Sequence, residues 1–126
     1  MTNFGDMTQR EFSDALASSN PTPGGGSAAA VALSQSAALT IMVADITIGR
    51  DKWQNGWDIA ESAKTVATPL LEEGFVLANK DTDSFLQVME SFKLPKGNDD
   101  EKSSRKQAIT DATHQASLVP LQTAKV

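Results

Sequence analysis

The run Pro21-Thr22-Pro23-Gly24-Gly25-Gly26-Ser27, followed at once by Ala28-Ala29-Ala30-Val31-Ala32-Leu33, is the strongest constraint on how this chain folds. Two prolines and three consecutive glycines end one element, and a serine with an alanine-rich apolar stretch begins the next. Glycine loses more backbone freedom on folding than any other residue, so three in a row demand a reason. Either the backbone takes positive φ angles there, or something approaches it closely. Ser27 is expected to cap the following helix by accepting a backbone N–H. The start of that helix offers free N–H groups and a partial positive charge, which suit an anion or a developing negative charge. The loop is not a P-loop, because no Lys-Ser or Lys-Thr follows the glycines and no strand precedes them, and it is not a dinucleotide fingerprint. On these grounds alone, a ligand-contacting loop and a tight helix connection are equally good readings.

Every long segment reads as helix. Thr8 and Glu11 form a capping-box pattern that opens a first helix, which ends near Ser18. The second is expected from about Ser27 to Ile48, stopped by Gly49, and is apolar almost all round. A third is predicted over Trp57 to Lys80, with Ala60, Ala63, Val66, Ala67, Leu70, Leu71, Gly74 and Leu77 as its stripe and Pro69 as a kink. A fourth is predicted to start at Asp81, with Phe85, Val88, Met89 and Phe92 at helical spacing, and to end before Leu94-Pro95-Lys96-Gly97. A fifth runs from about Asp99, with Arg105, Ile109, Ala112, Ala116 and Val119 on one side, and is interrupted by Pro120. No segment alternates as a strand does. The expected fold is therefore all-α: one domain over residues 1–126, a bundle of about five helices around a buried central helix of small residues.

Charge and composition exclude several functions. A net charge of −5 argues against a nucleic-acid partner, which would need a basic stripe. With no cysteine and one histidine, His114, thiolate catalysis and multi-histidine metal sites within one chain are excluded, so no metal is expected. Asp6, Arg10, Glu11 and Asp14 interrupt any signal-peptide core, so a cytoplasmic chain is the expectation. The stretch from Ala28 to Ile48 is long and apolar, yet it holds Gln35 and Asp45 and lacks basic and aromatic anchors on both sides. It reads as a bundle helix with no membrane role.

Few residues remain for chemistry. Asp81, four positions before Phe85, is expected to point toward an apolar face. As the first residue of a helix it is read first as an N-cap, a role compatible with acting as a base beside a pocket. Asp45, the one charge in the central helix, must be paired, hydrogen-bonded, neutral or exposed. Arg50, Lys52, Lys93, Lys96 and Arg105 would form a basic rim for an anionic ligand, with solvated surface as the plain alternative. Trp53 and Trp57 read as core or interface anchors.

These residues carry a resemblance. The stretch from Ser19 to Ala30 resembles the opening signature of the cyclodeaminase/cyclohydrolase family, and three later blocks agree in order and spacing. They are Thr47-Ile48-Gly49-Arg50; Asp81-Thr82-Asp83-Ser84-Phe85 with Lys93-Leu94-Pro95-Lys96; and Arg105, Ala108 and Val119-Pro120-Leu121. The resemblance implies an all-α homodimer that takes a one-carbon-substituted tetrahydrofolate as substrate, with no prosthetic group. It implies one of two reactions: hydrolysis of 5,10-methenyltetrahydrofolate to 10-formyltetrahydrofolate, or cyclisation of 5-formiminotetrahydrofolate with release of ammonia. Asp81 matches the family's acidic position and is the implied proton-moving group. Thr22, Pro23, Gly24, Gly25, Gly26 and Ser27 are implied to line the folate site, and Lys93 and Lys96 to meet the folate's glutamate carboxylates. Members of the family continue for several helices beyond the Val-Pro-Leu block, so the chain reads as C-terminally incomplete. The competing reading is a non-catalytic helical module that binds folate or a protein. The two differ in geometry: catalysis requires the glycine loop and Asp81 to meet at one concave pocket.

Overall fold

The computed structural model describes residues 3–126 and contains five α-helices, with no strand among the described residues. They are α1 (Gln9–Leu16), α2 (Gly25–Thr47), α3 (Trp57–Ala67), α4 (Leu70–Phe92) and α5 (Asp99–Lys125). Short 3-10 turns precede α1 (Phe4–Asp6) and α3 (Asp51–Gly56). The all-α bundle expected from the sequence is the one observed.

Local chemistry explains most of the boundaries. Thr8 accepts from the Glu11 N–H at 3.1 Å while the Glu11 carboxylate accepts from the Thr8 N–H at 2.8 Å, which is the predicted capping box. Asn98 caps α5 by accepting from the Glu101 N–H at 2.8 Å. Gly49, just beyond α2, has φ +83°, a conformation that side chains with a Cβ rarely adopt.

Two boundaries differ from the expectation, and Pro69 causes both. The predicted helix from Trp57 to Lys80 is broken at Thr68-Pro69, where α3 ends and α4 begins. Pro69 has no N–H to continue α3, but its fixed φ of −66° suits the first position of a new helix. α4 therefore starts at Leu70, and Asp81 lies well inside it rather than at a helix start. At the other proline, α5 continues through Pro120 to Lys125.

α2 is the spine. The hydroxyl of Ser27 donates to the carbonyl of Ala78 at 2.8 Å, and that of Ser34 donates to the carbonyl of Leu71 at 2.6 Å. Later residues of α2 thus meet earlier residues of α4, so the two helices run antiparallel. Asp45 pairs with Lys64 of α3 at 2.6 Å, where both side chains are half exposed. α4 covers the first half of α2 and α3 the second half, and Pro69 supplies the bend that lets the pair follow it. The buried residues of α2 are Ser27, Ala30, Ser34, Ala37 and Ala44. This near-heptad spacing forms a seam with its partner helices. α5 packs antiparallel on α4, and Arg105 near its start donates to the Phe92 carbonyl at 3.2 and 3.3 Å.

The seam is tight because its side chains are small. A Cβ added to Gly74 would lie 2.7 Å from the Ala30 carbonyl oxygen and 2.8 Å from the Ser34 backbone nitrogen. The core beside it consists of Phe4, Ala30, Leu77, Ala78 and Val119. Leu77 is buried outright, which contributes about 1.5–3 kcal/mol. The N-terminal segment is strapped onto α4 by Asn79, which accepts from the Phe4 N–H and donates to Asn3, each at 3.0 Å.

The expectation that α2 is covered on several sides holds for the seam alone. Its opposite face, with Leu39, Met42, Val43 and Ile46, is exposed, and it continues onto Ile59 and Val66 of α3.

Gly74→Ala tests the seam. In a free helix this change stabilises by about 1 kcal/mol. Here the added methyl meets backbone, so the variant is expected to lose about 1–3 kcal/mol in chemical denaturation, the range typical of overpacking.

Candidate active site

The glycine loop and Asp81 meet at one cavity of about 390 Å³. Pro21, Thr22, Gly24, Gly25 and Gly26 form one wall, Asp81 and Phe85 of α4 a second, and Ala116 and Pro120 of α5 a third. Asp81 and Phe85 are four residues apart on one face of α4, and Ala116 and Pro120 are likewise paired on α5.

The loop is glycine-rich for the second of the two reasons considered. None of Gly24, Gly25 and Gly26 has positive φ; Gly49 alone does among the described residues. What matters is close approach, because a Cβ on Gly26 would collide with the carboxylate of Asp81.

Ser27 does not cap α2, contrary to expectation. The N-cap is Gly24, which has no side chain to offer, and Ser27 is buried in the first turn. The first N–H groups of α2 need an outside acceptor, and the Asp81 carboxylate is the acidic group beside them. This carboxylate, carried by the neighbouring helix, stands at the open end of α2 against Gly26, with Oδ2 3.4 Å from the Ser27 hydroxyl oxygen. Asp81 is thus not the N-cap of its own helix; it lies at the start of another.

A hydroxyl carries one proton, and this orders the contacts of Ser27. It donates to the Ala78 carbonyl at 2.8 Å, so the Thr82 hydroxyl at 3.0 Å serves as donor to Ser27 Oγ. The Ser27 Oγ to Asp81 Oδ2 distance of 3.4 Å is the longest of the three. The carboxylate is therefore held only loosely by Ser27, with acceptor capacity left for the cavity.

Burial raises the Asp81 pKa above its ordinary value, and the hydrogen bonds from Ser27 offset this only in part. A carboxylate beside apolar Phe85 and the proline rings, kept from full hydration, is a stronger base than one in water.

The other sequence-derived candidates fall elsewhere. Pro23 is buried behind the loop. Lys93 closes α4 and pairs with Glu90 at 2.7 Å, exposed to solvent, and Lys96 lies in the exposed turn before α5. Neither borders the cavity, which has no basic residue among its lining. Arg50 and Lys52 flank Trp53 at the far end of α2, while Arg105 stacks on Phe92, so the five cations form no common rim. The Trp57 indole donates to the Arg50 carbonyl at 3.2 Å. Thr82, Ala116 and Pro120 are site residues that sequence reasoning did not assign. The i, i+4 relation of Ala116 to Pro120 was the available signal.

The raised pKa has a consequence for stability. Protonated Asp81 suits the fold better than ionised Asp81, so stability is fully present below the unfolded carboxylate pKa of about 3.9 and falls as pH rises through the folded value. Asp81→Asn, which stays neutral, is expected to melt at a higher temperature than the parent at pH 7. The difference should vanish below about pH 4 in thermal scans. A second variant, Gly26→Ala, should remain helical by circular dichroism while displacing the carboxylate from the end of α2.

Comparison with known proteins agrees with the fold. The sequence profile of the formiminotransferase-cyclodeaminase family matches residues 8–126. The chain is 36% identical to the methenyltetrahydrofolate cyclohydrolase of Methylorubrum extorquens, covering 97% of this chain and 59% of that protein. It is 31% identical to the formimidoyltransferase-cyclodeaminase of Mus musculus, covering 95% of this chain and 22% of that protein. The crystal structure of formiminotetrahydrofolate cyclodeaminase from Thermotoga maritima superposes with a TM-score of 0.78 at 26% identity, over 96% of this chain and 56% of that one. The chain thus spans from about a fifth to three fifths of the length of the proteins it matches. A profile match over nearly all its residues, with the fold to go with it, makes this chain a member of the formiminotransferase-cyclodeaminase family.

Proposed function

We propose that this protein hydrolyses 5,10-methenyltetrahydrofolate to 10-formyltetrahydrofolate, with Asp81 as the group that moves protons. The observation that carries this reading is the partly desolvated Asp81 carboxylate, set at the glycine loop and facing the cavity. The similarity to a methenyltetrahydrofolate cyclohydrolase supports the choice of reaction. Water oxygen bonds to the methenyl carbon, and one of its protons passes to Asp81. The bond from that carbon to N5 then breaks, its electron pair stays on N5, and N5 takes the proton back from Asp81. The remaining hydroxyl proton leaves to solvent as the formyl C=O forms. One carboxylate serves as base and then acid, a task that favours a pKa raised toward the working pH. Thr22 and the glycines form the wall against which the folate lies.

The cyclodeaminase reaction is the second reading, favoured by the likeness to the Thermotoga maritima and Mus musculus proteins. There N10 of the formimino compound attacks the one-carbon unit and ammonia leaves, with the same carboxylate moving the proton.

A homodimer belongs to the same proposal. Its support is the exposed apolar face of α2 and α3, where Ile59 and Val66 are 76% and 65% exposed. Apolar patches rimmed by polar residues mark interaction surfaces. Sedimentation is expected to give twice the chain mass, and Ile59→Asp with Val66→Asp is expected to return the monomer; a wild-type monomer overturns the pairing.

The reaction is tested by following the methenyl chromophore. Its loss with wild-type protein indicates hydrolysis, and its appearance from the formimino compound with ammonia indicates cyclodeamination. Silence in both assays overturns the enzymatic reading in favour of a binding module. Asp81→Asn is expected to lower turnover by about two orders of magnitude or more, as removal of a general acid–base does. A variant that changes only stability would show Asp81 to be structural.

A further inference from the structure

The cavity wall on α5 contains a feature the reaction scheme has not used. Pro120 lies inside the helix, which continues on both sides of it. A proline has no N–H, so the carbonyl of the residue four positions earlier loses its helical partner, and the ring pushes that carbonyl aside. The residue four positions earlier is Ala116, and both residues line the cavity that holds Asp81. The hydroxyls nearby do not make up the loss: Ser117 donates to the His114 carbonyl at 2.6 Å and Thr123 to the Val119 carbonyl at 3.3 Å. An α-helical carbonyl points along the axis toward the residue four positions on, so the Ala116 oxygen lies on the face it shares with Pro120. Ala116 is half-buried and Pro120 exposed, so this oxygen is open to water at the cavity's edge.

We propose that the main-chain carbonyl oxygen of Ala116, released by Pro120, is a second hydrogen-bond acceptor at the reacting centre, and that it orients the attacking water together with Asp81. The inference rests on the hydrolytic reading above. Water has two hydrogens. One is directed at the Asp81 carboxylate, which removes it; the other is held by the Ala116 carbonyl, which cannot take a proton and so fixes direction only. With both hydrogens engaged, a lone pair of the oxygen is aimed away from α4 and α5 and toward the glycine-loop side, where the methenyl carbon would lie. The lining suits this division of labour: Asp81 is its one charged group. Proline in a helix interior weakens the helix, so its placement in the cavity that Asp81 also lines exchanges stability for an oriented acceptor.

Pro120→Ala and Pro120→Val test the proposal together. Both restore an N–H at position 120 and so occupy the Ala116 carbonyl; they differ in side-chain volume. Both are expected to melt at a higher temperature than wild type. Both are also expected to lower kcat at least tenfold while KM for 5,10-methenyltetrahydrofolate stays within about twofold, because the contact is to water rather than to folate. Unchanged kcat in both variants overturns the proposal. Loss in the alanine variant alone also overturns it, since the shape of the proline ring would then be the cause. A rise in KM without loss of kcat would assign the residue to folate packing and overturn it as well. A wild-type chain without hydrolytic turnover removes the hydrolytic reading and this inference with it, whereas turnover indifferent to Pro120 removes this inference alone.

Discussion

The close contact of α2 with α4 is the constraint on which the rest of the structure depends. It is made possible by absence: Gly74 has no Cβ, and Ala30 and Ser34 present small side chains. Backbones that approach this closely bring carbonyl groups within reach of short hydroxyls. Ser27 and Ser34 each donate to a carbonyl of the facing helix. Each such bond adds about 0.5–1.5 kcal/mol net, and satisfies a hydroxyl whose burial would otherwise be costly. The two bonds also set the axial register. A slide by one residue breaks both, so the position of Asp81 relative to the end of α2 is fixed by the same contacts that hold the helices together.

That register creates the site. Helix α2 begins in glycines, with no side chain able to accept its first N–H groups. Asp81 comes to them from the neighbouring helix, through a space that a methyl on Gly26 would close. Two opposed influences then act on one carboxylate. Burial beside Phe85 disfavours its charge, and donors from Ser27 favour it, with burial the larger. A carboxylate poised in this way is stable enough to be kept and basic enough to act. α5 closes the cavity with Ala116 and Pro120, and the exposed far side of α2 carries the apolar face proposed to pair two chains.

Much of the fold was legible in local chemistry. The Thr8–Glu11 box, the stop at Gly49 and the start of α5 near Asp99 follow from capping and turn rules that involve only neighbouring residues. The apolar stripe on α5 predicted the buried Val119. The misplaced boundaries arose at prolines, where sequence rules are ambiguous. Pro69 was read as a kink within one helix and instead divides two, while Pro120 was read as an interruption and is accommodated in a continuous helix. Which outcome occurs depends on whether the flanking turns have somewhere to pack. α3 and α4 each pack on a different half of α2, whereas α5 lies along α4.

By itself, the sequence determined that the chain is helical, where its glycines interrupt it, and that its glycine loop and Asp81 are the places to look for chemistry. Those conclusions depend on propensity, capping and spacing, which are properties of residues near one another in the chain. Tertiary structure alone decided that Asp81 lies at the start of α2 rather than of its own helix. It also decided that Ser27 is a buried strut rather than a cap, that Lys93 and Lys96 lie away from the cavity, and that Pro120 and Asp81 line the same cavity. Each of these depends on the register between two helices far apart in sequence. That register comes from the fit of small side chains across a seam, which no single helix contains.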